Sequence, residues 1–232
     1  MEIIAEIGQN HNGDMQLAKN LIKAAADNGA QVAKFQLYDA KALFPKEGNQ
    51  WYDYNCKTEL SRTQVEEMVK TCEQHRIEFM ASVFDLERIR WLEAVGVKRY
   101  KLASRSIHDE ALIQRLCDTE KPLLISLGLW DEPGFPAIHT SADVGFLYCI
   151  SNYPTSPEHL RFENVDFAQY RGFSDHTVGI VAAQVALARG AAVIEKHFTL
   201  DKALWGPDHA GSMTPDELNL LSTWAEQCAL CM

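Results

Sequence analysis

The sequence predicts a single-domain α/β protein, a (β/α)8 TIM barrel spanning residues 1–232 with a reduced fifth helix, and three observations carry that expectation. Short apolar runs recur eight times, most of them followed by a segment of helical periodicity, which is the pattern of a parallel sheet wrapped by helices. No Pro/Gly/Ser-rich linker divides the chain, and its length suits one large core. Polar residues gather at the C-terminal ends of the apolar runs, where barrels of this kind place their active sites.

The first run, Ile3-Ile4-Ala5-Glu6-Ile7-Gly8, stops at a glycine and passes through the turn residues Gln9 to Gly13. Asp14 then caps a helix in which Leu17, Leu21, Ile22 and Ala25 repeat at helical spacing. Val32 to Leu37 is the second strand, followed by a polar and aromatic insertion from Tyr38 to Leu60 and a helix opened by a Ser61/Gln64 capping box. Ile77 to Val83 and Arg99 to Ser104 give strands three and four, with helices from Asp85 to Val95 and from Asp109 to Cys117. Pro122 to Gly128, Val144 to Cys149, Gly172 to Ser174 and Ala192 to Lys196 complete the strands, and Asp216 to Leu230 is a closing amphipathic helix. Between strands five and six, Pro133, Gly134 and Pro136 prevent a full helix, so apolar barrel surface is expected to lie open there for a second subunit.

A net charge of -10 repels phosphate backbones and anionic lipid, which argues against nucleic-acid and membrane partners. No signal peptide or membrane-length apolar run is visible, and the six cysteines form no metal-binding pattern, so free and mostly buried thiols in a cytoplasmic protein are expected.

The chemistry is read from the strand ends. His176 and His197 each close an apolar strand, and a βα crossover brings successive strand tips side by side, so the two imidazoles form a candidate metal pair. Mn²⁺, Zn²⁺ or Fe²⁺ suits two nitrogen ligands with open positions, and such an ion polarises a carbonyl oxygen. Lys34 and Lys101, with hydroxyls from serines at the neighbouring strand ends, make a site for a dianion. Glu6 lies where a proton would be handled or a hydroxyl oriented. A phosphorylated anion beside an activated carbonyl points to carbon–carbon condensation. One lysine or serine at a strand end is ordinarily a rim or turn residue; the weight lies in the joint placement. His11, His75, His108, His139 and His159 read as surface or loop histidines, while His209 beside Asp208 fits either reading.

These residues fall in motifs that resemble the barrel domain of the sialic acid synthase family, which makes N-acetylneuraminate, legionaminate and pseudaminate. The motifs are Ile4-Ala5-Glu6-Ile7-Gly8 with Asn10 to Asp14, Ala33-Lys34-Phe35-Gln36, Tyr100 to Ser104, Cys149 to Thr155, Phe173 to Thr177, Glu195 to Thr199 and Gly206 to His209. The resemblance implies condensation of phosphoenolpyruvate with the aldehyde of an N-acetylated amino sugar. It implies Lys34, Lys101, Ser104, Ser126, Ser151 and Ser174 around phosphoenolpyruvate, and Gln36, Tyr153 and Asp208 on the acceptor side. Glu6, His176 and His197 are the implied catalytic groups, the two histidines holding a divalent metal. Mn²⁺ is the expected ion, with Mg²⁺, Co²⁺, Zn²⁺ and Fe²⁺ as alternatives.

The sequence departs from the family pattern on the acceptor side. Ser104 runs on to Arg105-Ser106 where a sugar-contacting Glu is usual, and Ser151 replaces an Asn before the Tyr-Pro-Thr motif. The family's C-terminal antifreeze-like domain, which reaches the partner's site, is not found before Met232, so a homodimer or a separate cap subunit is expected. Two further readings compete: cleavage or isomerisation of a 2-keto acid in the same pocket, and a catalytically degenerate barrel that binds phosphoenolpyruvate or metal or serves as a scaffold subunit.

Overall fold

A computed structural model gives the structure of the protein and describes residues 1–231. The chain opens with β1 (Glu2–Gly8) and α1 (Met15–Asp27), the helix started by Asp14, whose carboxylate accepts from the amides of Gln16 and Leu17 at 2.8 and 3.2 Å. After β2 (Val32–Leu37), the insertion folds into two short helices, α2 (Ala40–Leu43) and α3 (Tyr52–Thr58). The predicted Ser61/Gln64 capping box then opens α4 (Arg62–Gln74). β3 (Glu78–Val83), α5 (Leu86–Ala94), β4 (Tyr100–Leu102), α6 (Glu110–Cys117) and β5 (Leu123–Ser126) follow, with Asp85 and Asp109 capping the two helices. β6 (Val144–Cys149), β7 (Gly172–Asp175), α7 (Val181–Ala188), β8 (Val193–His197) and α8 (Pro215–Cys231) complete the chain.

All eight strands are parallel and pair in sequence order, with β8 returning to β1, so the sheet is the predicted closed barrel. Strand alternation then sorts every side chain. One parity, including Phe35, Phe79, Tyr100, Ile125, Phe173 and Ile194, points outward and builds the main core against the helices. The other parity points to the axis. There, Ile4, Val32, Met80, Leu124, Leu147 and Val193 form a separate apolar plug. At the opposite end from the strand C-termini, Arg99 ties β1 to β3 by meeting Glu2 at 2.5 Å and Glu78 at 2.8 Å.

The two units with altered helices differ from the expectation in instructive ways. The fifth helix, expected to be reduced, is replaced by a loop, but the barrel is not bare there: Phe135 stacks on Phe146 at 4.8 Å and meets Tyr170 at 4.9 Å, so aromatic side chains of the loop pack on this surface. The sixth helix is missing as well, replaced by 3-10 turns at Pro157–His159 and Phe162–Asn164, with Phe162 edge-on to Phe173 at 5.1 Å. Aromatic side chains on irregular backbone thus supply the burial that a helix face supplies elsewhere. The cysteines are all free, yet only Cys72, Cys117 and Cys149 are buried, so the expectation of mostly buried thiols is half met. No helix among the described residues is long and apolar enough to cross a membrane.

Phe35 is fully buried and stacks on Phe79 at 5.6 Å between the barrel and its helices. Phe35→Ala is expected to lower unfolding stability by about 3–5 kcal/mol, measured by denaturant titration.

Candidate active site

Directly above the apolar plug, each strand contributes one inward side chain that is polar or ionisable. In strand order these are Glu6, Lys34, Ser82, Lys101, Ser126, Cys149, Ser174 and Glu195, and all eight line one pocket of about 410 Å³ at the C-terminal mouth. The two lysines are almost completely enclosed, with side chains 3% and 2% exposed. An enclosed ammonium costs several kcal/mol unless it is paired, and the pairing here is unequal.

Lys34 meets Glu6 at 2.7 Å and Glu195 at 3.5 Å, and donates to Ser82 Oγ at 3.1 Å. Burial pulls its pKa down, but Glu195 and Glu6 outweigh that and hold it above the usual lysine value. Lys101 donates to Ser126 Oγ at 2.7 Å and to the Leu102 carbonyl at 2.9 Å, while its nearest carboxylate, Glu195, stands off at 3.8 Å. Burial therefore prevails, reinforced by Lys34, and the Lys101 pKa falls below its ordinary value. Glu195 opposes both ammoniums and accepts from Ser174 Oγ at 2.8 Å; despite its burial, Lys101 and Lys34 draw its pKa to about 2.

The predicted histidine pair is at the mouth of this pocket. The ring centroids of His176 and His197 are 6.1 Å apart. His176 Nδ1 donates to the Ile150 carbonyl at 2.7 Å, which fixes the tautomer and leaves Nε2 with a free lone pair. Burial, then the neighbouring His197, lower its pKa to about 3, so the ring is neutral at physiological pH. His197 Nδ1 is buried and has no hydrogen-bond partner. Two imidazoles at this separation suit one ion bound at about 2.1 Å from each nitrogen. Among the described residues no group of three His, Cys, Asp or Glu side chains is placed to hold a metal, so this pair alone would leave most positions on an ion open.

Glu6 links the halves. Its Oε1 accepts from Gln36 Nε2 at 2.8 Å, its Oε2 pairs with Lys34, and its backbone is in register with His197. Gly8, at φ +54°, allows this convergence: a Cβ there would lie 3.0 Å from Glu6 Oε1 and 3.2 Å from Gln36 Nε2. Gly128 does the same across the mouth, where a Cβ would come within 2.5 Å of Ser151 Oγ and 2.9 Å of Cys149 Sγ. Its amide also donates to Ser104 Oγ at 3.0 Å.

The structure therefore brings Glu6, Lys34, Gln36, Lys101, Ser104, Ser126, Tyr153, Ser174, His176 and His197 to one pocket. Tyr153, exposed at the rim, lays its ring 4.1 Å from that of His176. Ser151 and Asp208 instead line a wider outer vestibule of about 1010 Å³, with Gln36 and Tyr153 at the junction. That vestibule adds residues not singled out by sequence: Gln9, Phe44, Phe84 and Arg105, the guanidinium lying 5.2 Å from the Phe44 ring. Glu195 was also missed as a site residue, although its parity with His197 on β8 was available as a signal. His11 lies in a turn, one of the two expectations for it, but is fully buried rather than at the surface, accepts from the Gly13 amide at 3.1 Å, and has its pKa lowered to about 4 by burial. His209 is buried too, 2.7 Å from Thr199 Oγ1 and 3.1 Å from Asn12 Oδ1.

A parallel barrel with an enclosed, charge-dense pocket on its strand C-termini defines an enzyme of the (β/α)8 class. The chain belongs to the NeuB family, whose pattern matches residues 21–232. It is 38% identical to the N,N'-diacetyllegionaminic acid synthase of Legionella pneumophila, over 94% of this chain and 69% of that one. It is 30% identical to the human N-acetylneuraminate-9-phosphate synthase, over 93% of this chain and 67% of that protein. The crystal structure of the N-acetylneuraminic acid synthetase from Leptospira borgpetersenii, in complex with citrate, superposes with a TM-score of 0.90 at 29% identity, covering 99% of this chain and 84% of that one.

Because the Glu195 carboxylate titrates lower in the folded protein than its ordinary 4.5, it contributes stability that is present above pH 4.5 and lost as pH falls toward about 2. Glu195→Gln is expected to start less stable and to show a flatter decline across that window, read from denaturant midpoints at stepped pH.

Proposed function

We propose that this protein condenses phosphoenolpyruvate with the aldehyde of an acceptor, an N-acetylated amino sugar or a related molecule, to give a 2-keto acid such as a nonulosonate and inorganic phosphate. The carrying observation is the juxtaposition, in one pocket, of two buried ammoniums and two neighbouring imidazoles. Family membership supports the same reading, since the relatives above are named as synthases of such acids.

Lys101 is the less compensated of the two buried lysines, so a bound polyanion completes its environment; Lys34 extends the positive floor, and the hydroxyls of Ser104, Ser126 and Ser174 supply oriented donors. Ser151, at the vestibule edge, is proposed for the outward end of that anion, and Gln36, Tyr153 and Asp208 for the acceptor. His176 and His197 would hold a divalent ion, Mn²⁺ in our reading, which when bound polarises the aldehyde oxygen. Glu6, set between floor and histidines, orients the acceptor hydroxyls or carries the proton.

In the reaction, the methylene carbon of phosphoenolpyruvate bonds to the aldehyde carbon, and the aldehyde oxygen takes a proton to become a hydroxyl. Water adds to the cationic carbon that bears the phosphate. Collapse of that tetrahedral centre breaks its bond to the phosphate oxygen, leaving the ketone and free phosphate. The enclosed floor limits premature attack by water. Six free cysteines suit a reducing compartment, so we place the reaction in the cytoplasm. The open vestibule is proposed to be completed by another copy of the chain or a separate cap polypeptide.

The test supplies phosphoenolpyruvate, Mn²⁺ and a panel of aldehydes, following phosphate release and product mass. Acceptor-dependent release supports the proposal; binding without turnover across the panel points to a barrel that only binds. His197→Ala is expected to abolish metal retention by elemental analysis, because one imidazole makes a weak site. Lys34→Ala is expected to weaken phosphoenolpyruvate binding by calorimetry through loss of a charge-assisted contact; unchanged affinity removes Lys34 from the anion site.

A further inference from the structure

We propose that Asp175 and Lys196 are positioning residues that fix His176 relative to His197; this rests on the metal reading above. Each immediately precedes one of the two histidines, and the two are register partners across β7 and β8. Strand alternation gives them the parity of Phe173 and Ile194, opposite to Ser174, Glu195 and His197, although both also border the pocket. They are thus a second buried ion pair, backing the one that forms the pocket floor.

The connections are specific. Lys196 Nζ meets Asp175 Oδ2 at 3.0 Å and donates to the Thr177 carbonyl at 2.5 Å. Asp175 Oδ1 in turn accepts from the Thr177 amide at 2.8 Å. Residues on both flanks of His176 are therefore tied to one ammonium, and that ammonium belongs to the residue next to His197. The pair is more deeply enclosed than most in the molecule, with side chains 1% and 0% exposed. The other charges acting on Lys196, Glu217 and Lys202, pair with each other at 2.7 Å and act on it in opposite directions, after Asp175. Stability alone is a weak reason for such a pair, because two apolar side chains of similar volume would serve as well or better. What the ion pair adds is direction. It fixes residues 175–177 at and just past the end of the strand, where the bridge of Thr177 to Thr155 and the Thr155 amide on the His176 carbonyl at 2.8 Å also hold the backbone, while Ile150 fixes the His176 ring.

The test removes the tie without stranding a charge. In Asp175→Asn/Lys196→Met the amide oxygen still accepts from Thr177, no ion is left unpaired, and the fold is expected to persist by circular dichroism. Mn²⁺ affinity, measured by electron paramagnetic resonance on the protein without substrate, is expected to fall about 10- to 100-fold, the range of losses when outer-shell support is removed. Phosphoenolpyruvate affinity of the metal-free protein is expected to stay at the wild-type value, which a general loosening of the barrel would not allow. A folded double variant with wild-type Mn²⁺ affinity overturns the proposal, as does an equal loss of both ligands. If the double variant does not fold, Lys196→Gln decides: weaker Mn²⁺ binding with unchanged phosphoenolpyruvate binding supports the tie, and wild-type binding of both overturns it. Wild-type protein that takes up no Mn²⁺ overturns the metal reading and this one together, whereas wild-type uptake with an unaffected variant overturns this one alone.

Discussion

The rest of the structure depends on the burial of two lysines in the barrel axis. An ammonium removed from water must be compensated locally, and Lys34 is, by Glu6 and Glu195. Lys101 shares the second of those carboxylates at a longer distance and leans on a hydroxyl and a carbonyl. The protein thus carries two cations and two anions in one enclosed layer, but distributes them so that one cation remains under-satisfied. A core assembled for stability alone would have continued the plug of Ile4, Met80, Leu124 and Leu147 upward. The change from apolar to charged within two residues along β1, β2 and β8 marks where folding requirements end and ligand requirements begin.

Strand alternation lets both requirements coexist. On β8, Ile194 joins the outer core, while Val193, Glu195 and His197 climb the inner face from plug to floor to mouth. On β2, Val32, Lys34 and Gln36 make the same climb. Register carries the climb around the barrel: Glu6 is opposite Lys34 on one side and His197 on the other, so floor and mouth are held by the same backbone ladder. The geometry of the charged groups is therefore set by the most rigid part of the fold.

Much of this was legible in the sequence because the strand ends concentrate the wrong residue types for a core. Glu6, Lys34, Lys101, Ser126, Ser174, His176 and His197 stood out as polar groups on apolar strands, and the barrel brings them into one pocket. Glu195 escaped notice because Lys196 and His197 follow it directly, although alternation along β8 gives it the same parity as His197. His11 escaped as well: its segment reads as an exposed turn, yet the turn is roofed by the insertion after β2, where Tyr54 bonds Asn12 at 2.7 Å, and His11 packs 6.2 Å from Phe35. Long-range coverage of this sort leaves no local signal. The absent sixth helix is a similar case, since residues 150–171 carry their burial in scattered aromatics rather than in a periodic face.

The division between strand and loop also bears on how specificity would be built. The inner pocket takes its side chains mainly from strands whose backbone is paired on both sides, so its shape is resistant to change. The outer vestibule is lined by Gln9, Phe44, Arg105, Ser151 and Asp208, which come from turns, the insertion and the segment after β8. Loop backbone accepts substitution and insertion at little cost to the barrel. On the proposed function, a phosphoenolpyruvate half held by the wall and an acceptor half assembled from loops would allow one scaffold to accept different aldehydes. In this chain the outer vestibule presents one guanidinium, lying over Phe44, and one carboxylate at Asp208, with Phe84 and Leu129 also in its lining. Those few groups, rather than the charged floor, are where the choice of acceptor is to be sought.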